Sequence, residues 1–140
     1  MKQKLYIVIA QTLQAKRTMQ ARYRAEINHC AGNASRNAEW VKIHHARLEA
    51  LCKEHMPSGS GFDNGTTLDD NNSARNRLVF NTAFHHMDDN GFYDGWTNHQ
   101  VIVTPSLQFG RDIRITGKNR RDIKDYMHQV FDHALNCEVE

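Results

Sequence analysis

The sequence predicts an α+β domain in the order α-α-β-β-β-α: an N-terminal helical hairpin, a three-stranded antiparallel meander and a C-terminal helix packed on the sheet. Three observations carry this. Asn90-Gly91 separates two runs rich in β-branched and aromatic residues, and that dipeptide suits a two-residue type I′ hairpin because both of its positions accept positive φ. Ile123, Tyr126, Met127, Val130, Phe131, Ala134 and Leu135 recur at helical spacing, giving an apolar stripe that can cover a sheet. Leu5, Val8, Ile9, Thr12 and Leu13 recur likewise near the N-terminus.

The first helix is expected from Lys4 to about Asn28, with Tyr23 and Ile27 extending its stripe less regularly. Cys30-Ala31-Gly32-Asn33 supplies a glycine stop, and Ser35 or Asn37 can cap the next helix by accepting an orphan amide. That helix runs to about His55 and buries Val41, Leu48, Leu51, Cys52 and Trp40; the short link makes the pair an antiparallel hairpin. Pro57 ends it, since proline has no amide hydrogen and disfavours helix before it. A turn-rich loop follows at about 57–76, anchored by Phe62 and Leu68, with Thr66 to Leu68 as a short extended edge.

With Asp89 facing Phe92, the hairpin register places Phe84 opposite Thr97, Thr82 opposite His99, Phe80 opposite Val101 and Leu78 opposite Val103 on an apolar face. The other face then pairs His85 with Trp96, Ala83 with Asn98, Asn81 with Gln100 and Val79 with Ile102. Either this second face is open, or the first two helices cover it and make Trp96 a core residue. Pro105 marks an end or bulge of the second strand. In the third, Phe109, Ile113 and Ile115 alternate with Asp112, Arg114 and Thr116. Gly117 and Asn119 lead into the last helix.

At 140 residues, 39% hydrophobic and 24% charged, the chain suits one soluble domain over residues 1–140. No apolar run approaches the roughly 18 residues of a membrane span, and Leu5 to Ala10 is too short for a secretion signal, so the expected location is the cytoplasm of a bacterial host, without membrane partners. Cys30, Cys52 and Cys137 are widely spaced, contain no CxxC pair and read as reduced thiols. The net charge of +2 hides two poles. Residues 1–36 carry Lys2, Lys4, Lys16, Arg17, Arg22, Arg24 and Arg36 against Glu26, whereas residues 57–100 carry six aspartates against Arg75 and Arg77. Such a separation steers charged partners.

Catalytic patterns are weak, so no catalytic residue, metal ligand or cofactor is assigned. His85 and His86 point to opposite faces in this register, leaving His86 with Asp88 and Asp94 as a loose grouping that would underlie a metal-dependent hydrolase. Asp88-Asp89-Asn90-Gly91 lacks the closing glutamate of a calcium loop. Cys52 lies on a core stripe, with His44 and His55 expected as a hydrogen-bonded pair on the same side. The glycines of residues 59–65 match neither GxxxxGK[ST] nor GxGxxG.

A binding surface has more support. Asn81, His85, Trp96, Asn98, Gln100 and Arg114 share the second sheet face, with Phe62 and Asp63 in the adjoining loop, and exposed aromatics flanked by amides and arginine concentrate interface energy. The alternative is double-stranded nucleic acid, held by Lys16, Arg17, Arg22 and Arg24 on the first helix and by Lys118, Arg120, Arg121 and Lys124 where the last helix begins and its dipole favours phosphate.

The blocks at residues 57–67 (PSGSGFDNGTT), 84–88 (FHHMD), 93–97 (YDGWT) and 121–126 (RDIKDY) resemble those of small uncharacterised proteins encoded by bacteriophages and prophages, over about residues 38–136. The resemblance implies an accessory protein that binds a host protein or ribonucleoprotein complex, including inhibitors of CRISPR or restriction systems. The α-β-β-β-α order of the same region is also similar to double-stranded RNA-binding domains, which implies phosphate contacts at Lys118, Arg120, Arg121 and Lys124. The acidic hairpin tip and the long loop before the first strand depart from that pattern.

Overall fold

The computed structural model describes all residues except Ala31, 58–65, Arg75 and 107–109. Its elements are β1 (Gln3–Lys4), α1 (Leu5–Asn28), α2 (Ala34–His55), β2 (Thr67–Leu68), β3 (Leu78–Met87), β4 (Tyr93–Ser106), β5 (Gly110–Thr116), α3 (Arg120–Asn136) and β6 (Glu138–Val139). The α+β class is as expected, but the sheet architecture is richer than a three-stranded meander. Four antiparallel strands run in the order β2-β3-β4-β5, and a separate two-stranded sheet pairs β1 with β6. The extra edge strand is the Thr67–Leu68 segment, whose pairing with Asn81 and Phe80 turns an extended loop edge into sheet. The terminal pair has no period to reveal it, because two residues per strand are too few.

The inner sheet face and three helices form one core. Leu78, Phe80, Val101 and Val103 are buried against Leu5, Ile9 and Leu13 of α1 and Ile123, Met127, Phe131 and Leu135 of α3. Phe80 and Phe131 meet with ring centroids 5.9 Å apart, and full burial of such side chains stabilises by roughly 1.5–3 kcal/mol each. Tyr126 stands at the edge of the α3 stripe, exposed, with its ring edge against Phe84. Arg111 was not foreseen in this layer. Period-two alternation places it inward beside Ile113, where its guanidinium donates to Asp132 and to Asn136 Oδ1 (2.8 Å) and lies 5.4 Å from the Tyr6 ring centroid.

The apolar burial of the helical hairpin lies at one end. Every buried α1 residue lies between Leu5 and Lys16, and α2 buries only Asn37, Leu48, Leu51 and Cys52. Trp40, expected inside, is 43% exposed and stacks on His44 instead; the distal third of α2 faces only α1, and a two-helix layer has no third element to cover it. Neither Ser35 nor Asn37 caps α2. The N-cap is Asn33, and Asn37 lies one turn inside, its amide bonded to the Asn33 carbonyl. Among the described residues no helix is long and apolar enough to cross a membrane.

The β3–β4 register from Leu78↔Val103 to His85↔Trp96 is the expected one, yet the turn that set the expectation is different. Asn90 does not take positive φ. Gly91 alone does (+84°), Gly91 N donates to Asp88 O (3.0 Å), and Asp88 N donates to Phe92 O (2.8 Å), closing a three-residue loop. Such a loop shifts the register by one residue relative to a two-residue turn. A bulge at Asp94-Gly95, with Gly95 at φ +89°, shifts it back. Pro105 does not end β4; pairing continues through Pro105↔Arg111 to Ser106↔Gly110. Phe109 lies outside the described residues.

Candidate binding face

Directly opposite residues in a sheet share a face, so the pairings build the outer surface row by row. Its rows are His85 and Trp96; Ala83 and Asn98; Thr67, Asn81, Gln100 and Thr116; and Val79, Ile102 and Arg114. No described helix covers them. Trp96 is 61% exposed, Asn81, Asn98 and Arg114 are exposed, Gln100 is half-buried and His85 is buried. The alternative in which α1 and α2 roof this face is therefore not what the chain does; both helices lie on the opposite side with the core. At its far end Val79 is shielded by the Asp69–Arg77 turn, where Ser73 Oγ accepts from Val79 N (2.8 Å).

The surface is concave. An open groove of about 890 Å³ is lined by Asn81, Ala83, His85, Trp96, Asn98 and Gln100 together with Thr67, Tyr93, Thr116 and Gly117. Sequence reasoning missed the last four. Tyr93 joins this side because the Gly95 bulge inserts one residue and moves it beside His85, with ring centroids 5.7 Å apart. Phe62 and Asp63, the other expected contacts, lie outside the described residues.

At the floor, His99 Nδ1 is 3.1 Å from Thr116 O; a carbonyl only accepts, so Nδ1 carries the proton and Nε2 is bare. Burial pushes the His99 pKa below its ordinary value, the Thr116 carbonyl opposes this, and nearby His86 adds to it. Gly117, at φ +130°, lets the chain leave β5 across this imidazole: a Cβ there would sit 2.6 Å from His99 Nδ1.

The groups expected to do chemistry are used structurally. His86 bonds Thr97 Oγ1 at 2.6 Å rather than joining Asp88 and Asp94. The Asp88 carboxylate accepts from Asn90 N and Phe92 N, both at 2.9 Å, and so builds the tip. Among the described residues no three His, Cys, Asp or Glu side chains gather into a group that could hold a metal. His44 and His55 do not pair: His55 approaches Cys137 Sγ at 4.0 Å, and it is His45 that enters a polar cluster.

That cluster takes two of the cations expected to bind nucleic acid. The buried Lys16 ammonium pairs with Asp70 and lies 3.0 Å from His45 Nδ1, which must accept because an ammonium has only donors. His45 Nε2 then donates to Glu49 (3.0 Å). Arg17 donates to the backbone carbonyls of Asp70 (2.6 Å) and Ser73. Neither Lys16 nor Arg17 is free for phosphate, since both hold the Asp69–Arg77 turn on the hairpin. Cys52 lines a neighbouring recess of about 180 Å³ with His45 and Asp70. Its thiol is pushed up to about 11, by burial first and by the Asp70 charge second, so it stays protonated and is no nucleophile at neutral pH.

Arg22, Arg24, Lys118, Arg120, Arg121 and Lys124 are exposed, and among the described residues none of them forms an ion pair. Comparison with protein-family models, curated proteins and solved structures finds no match to this chain.

Proposed function

We propose that this chain is an accessory binding protein of the phage type, a counter-defence inhibitor that occupies a host protein or ribonucleoprotein complex through its outer sheet face. The observation that carries this reading is the open groove itself: a four-stranded sheet with helices on one side only, and an exposed indole above a polar, concave floor on the other. Exposed aromatic and amide side chains on a rigid element bind with little loss of conformational freedom.

Double-stranded nucleic acid is the weaker alternative, because Lys16 and Arg17 are committed to Asp70 and its turn, which leaves α1 with Arg22 and Arg24. Metal-dependent hydrolysis has no residue cluster to support it among the described residues.

The test is affinity capture from bacterial lysate with the wild-type chain and with a Trp96→Ala, Asn98→Ala variant. The expected result is a stoichiometric partner held by the wild type and lost by the variant. Recovery of no partner, or equal recovery by both, overturns the proposal.

A further inference from the structure

We infer that the outer edge of β5 is an interface between two copies of this chain, which pair their β5 strands antiparallel about Ile113 and join their sheets into one.

The sheet has two edges. On one, β2 is only two residues long, and the Asp69–Arg77 turn covers β3 beyond it, where Asp69 N donates to Val79 O (2.8 Å). On the other, β5 (Gly110–Thr116) is seven residues long and pairs with β4 alone. Among the described residues no further backbone group bonds to it. Such a row of N–H and C=O groups, roughly 23 Å long, is a template for another strand.

Proteins blunt their edges with charge, so the charges on β5 decide whether a strand can add. Arg111 points inward, but it is spent within its own chain on Asp132 and Asn136. Asp112 and Arg114 point outward, are exposed and form no ion pair among the described residues. Their spacing is self-complementary. Antiparallel pairing centred on Ile113 sets Asp112 opposite Arg114 of the second copy and Arg114 opposite its Asp112, while Ile113 meets Ile113 and Arg111 meets Ile115. Opposite charges on facing strands attract and like charges repel. Centring the pairing on Asp112 or on Arg114 sets like charges face to face. A centre between residues sets Ile113 opposite a charged side chain and turns one sheet over. The strand therefore specifies one register.

The two-fold axis stands perpendicular to the sheet, because directly opposite residues share a face. Ile113, half-buried at the rim of the core, and Ile115 then continue the apolar layer from one copy into the next. The strand ends match as well. At the Gly110 end Arg111 is bonded to Asn136, which is followed by β6 with the exposed Glu138 and by Glu140. At the Thr116 end the chain goes on to the exposed Lys118, Arg120 and Arg121. Antiparallel pairing brings the acidic end of each copy to the basic end of the other, which gives these cations counterparts. Both outer faces lie on one side of the joined sheet, each with its Trp96 and its groove open. The dimer presents the proposed binding face twice, so a partner that is itself repeated gains avidity without new contacts.

The experiment is sedimentation velocity of the purified chain from about 1 to 300 µM, at about 50 mM salt, with circular dichroism as the check on folding. The wild type is expected to pass from monomer to dimer across that range, since a seven-residue edge makes a small interface. Asp112→Arg and Arg114→Asp, each at an exposed position, should fold as the wild type and dimerise roughly tenfold or more weakly, because each sets like charges opposite one another at both symmetric positions. Mixed in equal amounts, the two variants regain both opposite-charge pairs and should form a heterodimer about as tight as the wild-type dimer. Trp96→Ala, on the open face, should dimerise as the wild type. A wild type that stays monomeric at about 300 µM, single charge variants that dimerise as well as the wild type, or a mixture no tighter than its components overturns the inference. Weakening by Trp96→Ala overturns it too, by moving the contact to the outer face.

Discussion

Replacing Asp70 with alanine should strand a buried ammonium. The Lys16 side chain is 8% exposed and the Asp70 side chain 29% exposed, so removing the carboxylate leaves a charge that water barely reaches. Breaking a fully buried pair from one side costs about 3–5 kcal/mol. Here Asp70 is partly hydrated and His45 Nδ1 remains 3.0 Å from Lys16, which reduces the expected loss to about 2–3 kcal/mol. For a chain of this length that corresponds to a fall in Tm of roughly 8–12 °C. Lys16→Met should cost less, about 1 kcal/mol, because the carboxylate left behind can hydrate and the methionine keeps the apolar stem packed. The double variant should recover about 1–2 kcal/mol relative to the sum of the single losses. Urea unfolding followed by far-UV circular dichroism measures all three. An Asp70→Ala variant within about 0.5 kcal/mol of wild type, or losses that add without coupling, would refute the idea that this pair ties the Asp69–Arg77 turn to the hairpin.

Other consequences follow from the same geometry. Gly117→Ala forces a Cβ to within 2.6 Å of His99 Nδ1 at a φ of +130°, and should cost about 2–3 kcal/mol in a urea titration. His99 has a folded-state pKa below its unfolded one, so between the two the unfolded chain binds more protons; its contribution is full above the unfolded value and is lost as pH falls through that window. His99→Gln should flatten the stability–pH curve there. Thiol titration should find Cys30, which is exposed, reactive in the native protein, and Cys52, with its pKa pushed up to about 11, reactive only on unfolding. Arg111→Met removes the charged donors to Asp132 and Asn136, and should cost about 2–3 kcal/mol by the same unfolding assay.

Long periodic elements were legible because each repeats its signal. Leu5 to Leu13 and Ile123 to Leu135 declare a buried stripe several times over, and the β3–β4 pairing follows from strict alternation. The turn between those strands was misread although its register was right. Asn90-Gly91 reads locally as a two-residue turn, but the Asp88 carboxylate closes a three-residue loop, and the bulge at Gly95 compensates the slip. Glycine at position 95 is visible in the sequence; its role depends on a partner strand. The committed cations were illegible for a similar reason. Lys16 and Arg17 sit beside Arg22 and Arg24 in sequence, and only the fold brings Asp70, 54 residues away from Lys16, to the first pair. Arg111 could have been found, since alternation from Ile113 points it inward. On the binding face, alternation located Asn81, Trp96, Asn98 and Gln100 together, while Tyr93 depended on the bulge and Gly117 on the path of the chain after β5.

The proposed function depends on the outer sheet face being open to solvent. Tryptophan fluorescence of a Trp40→Phe variant, in which Trp96 is the one remaining indole, tests that directly. The emission should be that of a water-exposed indole, and iodide should quench it nearly as well in the native protein as in urea. A blue-shifted emission that iodide reaches only after unfolding would mean that the face is covered in solution, and would contradict the account.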